Sequence, residues 1–197
     1  MRFFDLNKIK KLYFGYEDIA KVLGITPESA KVTASRYVTQ GLLVRVKRNY
    51  YVIKDRWERI EKESLFSIAN LIQTPSYISF MTALEYYQIT TQMQRYFFES
   101  VAVKRTKEAK IDTIFFNYTK INEKLYYGFV KTDGFFIAVP EKALLDSLYL
   151  KSMGRYDFDS SSIDFNRFDR NILKNLVKKF PKRTRGILEQ NDYFRTA

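Results

Sequence analysis

Along the first sixty residues the apolar positions keep a helical period three times and then change to alternation. Leu6, Ile9 and Tyr13 fall on one face of a helix predicted over Asp5 to Leu12. Ile19, Ala20 and Leu23 give the buried side of a second helix, Glu17 to Leu23, which Gly24 ends through its freedom to take positive φ. The third helix has the clearest start. Thr26 is suited to cap it, Pro27 to its first position, and Glu28 to the positive end of its dipole. It runs to about Gln40, with Gly41 as the stop. Ala30, Ala34, Tyr37 and Val38 share its core face, while Glu28, Val32, Ser35, Arg36 and Thr39 look the other way, flanked by Ser29 and Lys31. Leu42-Leu43-Val44-Arg45-Val46-Lys47 and Tyr50-Tyr51-Val52-Ile53 then form the arms of a hairpin. Arg48-Asn49 makes its turn, since Asn tolerates the left-handed conformation that such turns require.

Further along, residues 54–63 form a charged helical connector with no Gly/Ser linker. A helix from Ser64 to Ile72 ends at Thr74-Pro75-Ser76, and another starts near Ser79 and includes Ala83, Leu84 and Tyr87. Four short runs rich in β-branched and aromatic residues follow: Ser100 to Val103, Thr113 to Tyr118, Leu125 to Val130 and Phe135 to Val139. Turn signals at Asn122-Glu123 and Asp133-Gly134 separate them. Pro140-Glu141 opens a helix through Ala143, Leu144, Leu145, Leu148 and Tyr149, and a polar loop spans Asp157 to Asp164. A last helix holds Ile172, Leu173, Leu176, Val177 and Phe180, with the basic segment Lys182-Arg183-Thr184-Arg185 after Pro181. No internal repeat is found. The pattern predicts an α+β chain: a winged helix-turn-helix over residues 1–60, then a mixed α/β domain over 64–197 with a mostly antiparallel sheet.

Charge sharpens this picture. The chain of 197 residues carries 34 Lys and Arg against 22 Asp and Glu, a formal net charge of +12. Residues 1–60 hold 13 against 6, a net of +7, which leaves +5 for the other 137. A polyanion partner is implied, nucleic acid ahead of an anionic membrane face. The start of the chain lacks a signal-type apolar region, and the densest apolar stretch, Phe135 to Val139, is far too short to span a bilayer. A cytoplasmic protein without membrane association is expected.

Composition also narrows the chemistry. There is no cysteine, which excludes disulfides and thiolate metal sites and fits a reducing compartment. There is no histidine, so Ser-His-Asp and Cys-His catalysis are excluded and only carboxylates remain to hold a metal. The 7 glycines do not cluster into a phosphate loop. Glu108-Ala109-Lys110 has a spacing found in some nucleases, but it is expected to be a solvated loop. Glu141 and Asp146 do not stack on one helical face, and Glu141 is explained by the helix dipole. The aromatic segment Tyr77 to Tyr87 is expected in the core rather than stacked on bases. No catalytic residue, metal ligand or cofactor is expected.

The expected interface is therefore on double-stranded DNA. Ser29, Val32, Ser35 and Arg36 are placed near base edges, and Arg45, Lys47, Arg48 and Tyr50 on phosphate or in the minor groove. Thr26, Lys31 and Asn49 complete the set. The plain alternative is a small structural domain with solvated basic residues; charge, helix pair and hairpin together favour DNA.

The chain resembles the AbiEi-type antitoxins of abortive-infection (type IV) toxin-antitoxin systems. In the front module the resemblance rests on Glu17-Asp18-Ile19-Ala20, Leu23-Gly24-Ile25-Thr26, Gly41-Leu42-Leu43 and Lys47-Arg48-Asn49-Tyr50-Tyr51. Behind it stand Tyr77-Ile78-Ser79, Thr82-Ala83-Leu84-Glu85-Tyr86-Tyr87 and, most specific, Val139-Pro140-Glu141-Lys142-Ala143-Leu144-Leu145-Asp146. Asn49 and Gln88 stand where such proteins usually have glycine. The resemblance implies a repressor that binds its own operator, with a rear domain that counteracts a cognate toxin resembling a nucleotidyltransferase. Two other classes remain: a stand-alone regulator whose rear domain binds an effector or protein, and a metal-dependent nuclease with a winged-helix targeting arm.

Overall fold

The computed structural model describes residues 2–190, which fall into two compact units. One runs up to Ile72 and includes Ile111–Thr113; the other comprises Gln73–Lys110 and the chain from Ile114 on.

The first unit begins with a 3-10 helix, Arg2–Lys8, followed by α1 (Tyr16–Leu23) and α2 (Pro27–Thr39). The hairpin is β1 (Leu43–Lys47) and β2 (Tyr50–Ile53), and α3 (Lys54–Glu58) and α4 (Lys62–Ile72) complete the unit. The first helix differs from expectation: it is a 3-10 helix ending at Lys8, not an α-helix over Asp5 to Leu12. Leu6 and Ile9 are buried as their spacing implies. However, the Arg56 guanidinium donates to the carbonyls of Asn7 and Ile9 at 3.0 and 2.7 Å, a position that a continuing α-helix would fill with its own N–H groups. The helix thus stops, the chain bends, and Phe14 pairs with Tyr51 as a single antiparallel bridge through two backbone bonds of 3.0 and 2.9 Å, beside the two-stranded hairpin.

The core of this unit joins Leu6, Phe14, Ile19, Leu43, Tyr51 and Ile53 to the inner face of α2. That face is Ala30, Ala34 and Tyr37, with Val38 partly buried beside them. The two alanines are fully buried, and their small size lets α2 close against its neighbours. The connector is broken after Glu58, and the helix expected from Ser64 starts at Lys62.

In the second unit the chain runs β3 (Ser76–Ile78), α5 (Phe80–Tyr86), β4 (Phe97–Ala102), β5 (Lys107–Ile111) and β6 (Ile114–Lys120). Next come β7 (Phe129–Thr132), β8 (Phe135–Ala138), α6 (Pro140–Ser152), α7 (Arg170–Val177) and α8 (Lys182–Gln190). The sheet order is β5-β6-β4-β3-β8-β7. β3–β4 and β7–β8 pair antiparallel, and β3–β8 and β4–β6 parallel. The parallel pairs arise where the chain crosses over before returning, information that strand alternation does not carry.

Three local expectations change. Leu125, Tyr126 and Tyr127 do not continue into β7: Glu123–Leu125 is a 3-10 turn, capped by the Asn122 side chain on the Lys124 N–H at 2.9 Å. Glu108-Ala109-Lys110 belongs to the edge strand β5 rather than to a loop, its burial alternating as a strand with one solvated side would. Residues 76–78, expected to lie between helices, form the buried central strand β3. Asn49 and Gln88, standing where the resembled family usually has glycine, both adopt left-handed φ, 63° and 58°. The backbone demand is thus kept although the residue is changed.

α6 is the central helix of this unit, buried on nearly every side, and it carries charges inward. Lys142 and Asp146 are fully buried and paired with each other one turn apart. Asp146 also accepts from the Tyr77 hydroxyl at 3.0 Å and from Ser79 at 2.8 Å, while Lys142 donates to Tyr77 at 2.8 Å. The Lys142 ammonium lies 5.3 Å from the ring centroids of Tyr77, Tyr127 and Phe180. Burial pushes Lys142 down and Asp146 up, and their mutual attraction works against both shifts. Gly128, at φ 72°, lies against the Lys142 stem, where any Cβ would come within 3.2 Å of its carbons. Glu141, expected to serve only the helix dipole, is buried and accepts the Asp169 N–H at 2.8 Å.

Candidate nucleic-acid interface

α1 and α2 are joined through Gly24, Ile25 and Thr26, with Gly24 left-handed at φ 62° and its N–H returned to Ala20. Thr26 caps α2, its hydroxyl oxygen accepting the Ser29 N–H at 3.2 Å and its hydroxyl donating to the Ser29 Oγ at 3.1 Å. Pro27 occupies the first turn. Thr26 therefore sets where α2 begins, a structural task among the residues proposed for DNA.

With Ala30, Ala34 and Tyr37 in the core, the helical period forces Ser29, Lys31, Val32, Ser35 and Arg36 outward, and all five are exposed. Val32 is 71% exposed in the middle of this face. An aliphatic side chain so placed adds nothing to the fold, whereas an apolar group among polar ones suits the thymine methyl in a major groove. The Arg36 guanidinium lies over the Tyr37 ring at 5.6 Å and the Lys31 ammonium over the Tyr16 ring at 4.6 Å. Both charged heads thus rest over aromatic rings on side chains that are otherwise exposed.

The hairpin adds the second element. Arg45 and Lys47 point away from the core on β1, as the alternating burial of that strand requires. The register shifts between Arg45 and Lys47, a bulge that increases twist near the tip. Among the described residues no side-chain partner is found for Arg45 or Arg48, whereas Lys47 donates to the Leu71 carbonyl at 3.0 Å. Tyr50 is half-buried, edge-on to Tyr13 at 5.6 Å.

Asn49 has a second role that sequence reasoning missed. Its Oδ1 accepts the Tyr16 N–H at 2.9 Å, and its amide donates to the Glu17 carboxylate at 3.0 and 3.2 Å. The hairpin tip is thereby latched to the first turn of α1. The Asn49 amide holds the Glu17 carboxyl below its ordinary value. The contribution of this bond is thus present above the unfolded carboxyl pKa and is lost as pH falls through the lowered folded value. Gly15 leaves the space: a Cβ there would meet Glu17 Oε2 at 2.4 Å and the Asn49 amide nitrogen at 3.2 Å. The only signal for this in the sequence is Asn in place of glycine at the turn.

The latch yields a graded prediction. Asn49→Gly keeps the left-handed backbone and removes only the hydrogen bonds, so about 1 kcal/mol of stability is expected to be lost. Asn49→Ala removes both and is expected to lose about 2 kcal/mol or more. Denaturant titrations of the two variants and the parent chain measure the difference, and equal losses would show that the backbone conformation is not strained in alanine.

The first unit, with a short-turned helix pair, a two-stranded hairpin directly after it and a single bridge from Phe14 to Tyr51, contains a winged helix-turn-helix. A family model described as "Transcriptional regulator, AbiEi antitoxin" matches residues 2–54, from the 3-10 helix through the hairpin. The likeness read from the front motifs is found again there. No curated protein matches the chain. Among the described residues, no group of three or more carboxylates could hold a metal ion, and no helix is long and apolar enough to cross a membrane.

Proposed function

We propose that the chain is a DNA-binding transcriptional regulator that represses its own operon, with α2 in the major groove and the hairpin on the flanking backbone. The observation that carries this reading is the outward face of α2, where Val32 stands exposed among Ser29, Ser35 and Arg36 on a helix whose other face is locked in the core. Arg45 and Arg48 supply the phosphate contacts. Lys47, tied to Leu71, steadies the strand as well as adding charge.

Arg36→Ala is expected to cost about 1–3 kcal/mol on the chain's own upstream DNA and to relax its choice of sequence. Arg48→Ala is expected to weaken all duplexes alike and to reduce the salt slope by about one. Fluorescence anisotropy across a salt series distinguishes the two. If Arg36→Ala lowered binding to every duplex by the same factor, base readout by this face would be wrong.

The match to an antitoxin regulator model supports an antitoxin role, and the second unit is the part that would contact a cognate toxin. The rear segment proposed for this, residues 64–197, begins inside α4, which belongs to the first compact unit. A division of labour is therefore proposed at Ile72, with the residues beyond it retaining toxin neutralisation. Growth rescue beside the toxin, by a chain carrying the substitutions in α2 and the hairpin, tests whether neutralisation is separate from DNA binding.

A further inference from the structure

Two adjoining strands of the second unit, β4 and β6, carry Phe97-Phe98 and Phe115-Phe116 in register, so four phenylalanines form two cross-strand pairs. Phe98 and Phe116 point inward, each 1% exposed, with ring centroids 5.9 Å apart. Alternation puts Phe97 and Phe115 on the opposite face, where Phe97 is 39% exposed and Phe115 half-buried. Burial in a core accounts for the first pair and not for the second.

Further along β4 this outer face is closed, since Glu99 is buried and accepts the Tyr156 hydroxyl at 3.0 Å. On β6 it stays partly open: Phe115, Asn117 and Thr119 are half-buried in a row. Lys110, on the edge strand β5, holds its ammonium 4.9 Å from the Phe115 ring centroid. Among the described residues, the side chains of Asn117 and Thr119 have no hydrogen-bond partner. Tyr96, 61% exposed, stands just before Phe97, and its carbonyl accepts the Phe115 N–H at 2.8 Å.

Charge surrounds these rings. Residues 95–120 hold 6 Lys and Arg against 3 Asp and Glu, a net of +3. Of the carboxylates, Glu99 is buried and Asp112 is paired with Lys54, which leaves Glu108. Arg95, Lys104, Arg105, Lys110 and Lys120 are exposed, and among the described residues none of them has an acidic partner.

We infer that this sheet face binds single-stranded RNA, with bases stacked on Phe97 and Phe115. Rings fixed on a sheet reach only bases that are free of a duplex, and unpaired cations beside them suit the phosphates. The Lys110 ammonium, on a flexible stem, moves to phosphate as a base takes its place on the ring. The free amide of Asn117 and hydroxyl of Thr119 suit the 2′-hydroxyl, which both donates and accepts. From Phe115 to Lys120 the strand spans about 16 Å, room for two stacked bases and their backbone. A protein interface centred on the same rings would bury Arg95 and Lys110, and interface cores are depleted of charge. The site lies in the second unit and stands or falls apart from the DNA-binding reading.

A fluorescent uridine octamer is the probe, titrated with the full chain and compared with a deoxyuridine octamer and an RNA duplex. The octamer is expected to bind about tenfold or more tightly than the duplex, and severalfold more tightly than its deoxy counterpart. Phe97→Ala and Phe115→Ala are each expected to weaken it about fivefold or more. Phe97→Trp, which keeps a ring, is expected to retain binding. Affinity for the chain's own upstream DNA duplex is expected to stay unchanged in all three variants, which reports that they are folded. Equal binding of octamer and duplex would overturn the site, as would octamer binding that Arg36→Ala and Arg48→Ala abolish and both alanine variants leave intact. Equal binding of the deoxyuridine octamer would overturn the assignment to RNA. Intact RNA binding with growth rescue beside the toxin lost in Phe97→Ala would make the face a protein contact instead.

Discussion

Lys142→Met is expected to destabilise the second unit by about 3–5 kcal/mol, because it leaves the Asp146 carboxylate buried without its cation. The two hydroxyls of Tyr77 and Ser79 that reach Asp146 do not neutralise it. The double variant Lys142→Met with Asp146→Leu removes both charges at similar volume and is expected to regain most of the loss, as replacement of buried ion pairs by apolar groups often does. Urea unfolding of the single and double variants measures the coupling. A single variant within about 0.5 kcal/mol of the parent would show that Asp146 is already neutral in the fold. The network ties β3 to α6, joining two motifs far apart in the chain, Tyr77-Ile78-Ser79 and Lys142 to Asp146. Its complete burial assigns these residues to holding the fold rather than to contacting a partner.

The second large effect concerns Glu99 on β4, which is 4% exposed. Burial raises its carboxyl to about 7, partly offset by hydrogen bonds from Tyr156 at 3.0 Å and Gln94 at 3.2 Å and from the backbone of Met81 and Thr82. The folded state therefore holds a proton that the unfolded chain releases near its ordinary value of 4.5. Between that value and about 7 the unfolded state binds fewer protons, so stability falls as pH rises, and the fall levels off above about 7. Each tenfold change in proton affinity is worth about 1.4 kcal/mol, so the full span amounts to about 3 kcal/mol. Glu99→Gln is expected to remove this slope while retaining most of the hydrogen bonds. Unfolding free energies measured from pH 4.5 to 8 for both chains test it, and parallel profiles would assign the pH dependence to other groups.

The front module is legible because its signals are local. A cap, a proline, a stop glycine and a turn asparagine lie next to the elements they delimit, and two buried alanines with Tyr37 decide which side of α2 faces out. The first helix departs from its pattern for a nonlocal reason: Arg56, some fifty positions away, takes the carbonyls that would have continued it. In the second unit β3 escapes sequence reading because its three residues are buried on both faces and show no alternation. The charges of α6 defeat periodicity in the same way, since Lys142 and Asp146 look like a solvated face until Tyr77 and Ser79 are brought onto them. The residues proposed for DNA contact are exposed, save the half-buried Asn49 and Tyr50, and the latch role of Asn49 depends on Tyr16 and Glu17, more than thirty positions earlier.

The central claim, that the first unit reads DNA sequence, is tested most directly by titrating the full chain against a duplex from its own upstream region and a shuffled duplex of the same length and composition. Both are measured by anisotropy at the same near-physiological salt. The account predicts that the upstream duplex binds at least a thousandfold more tightly, the lower end of specific recognition over non-specific binding. It also predicts that Arg36→Ala narrows that ratio while Arg48→Ala lowers both affinities together. Equal affinities for the two duplexes, unchanged in ratio by Arg36→Ala, would contradict it and leave the exposed face of α2 without a role in sequence recognition.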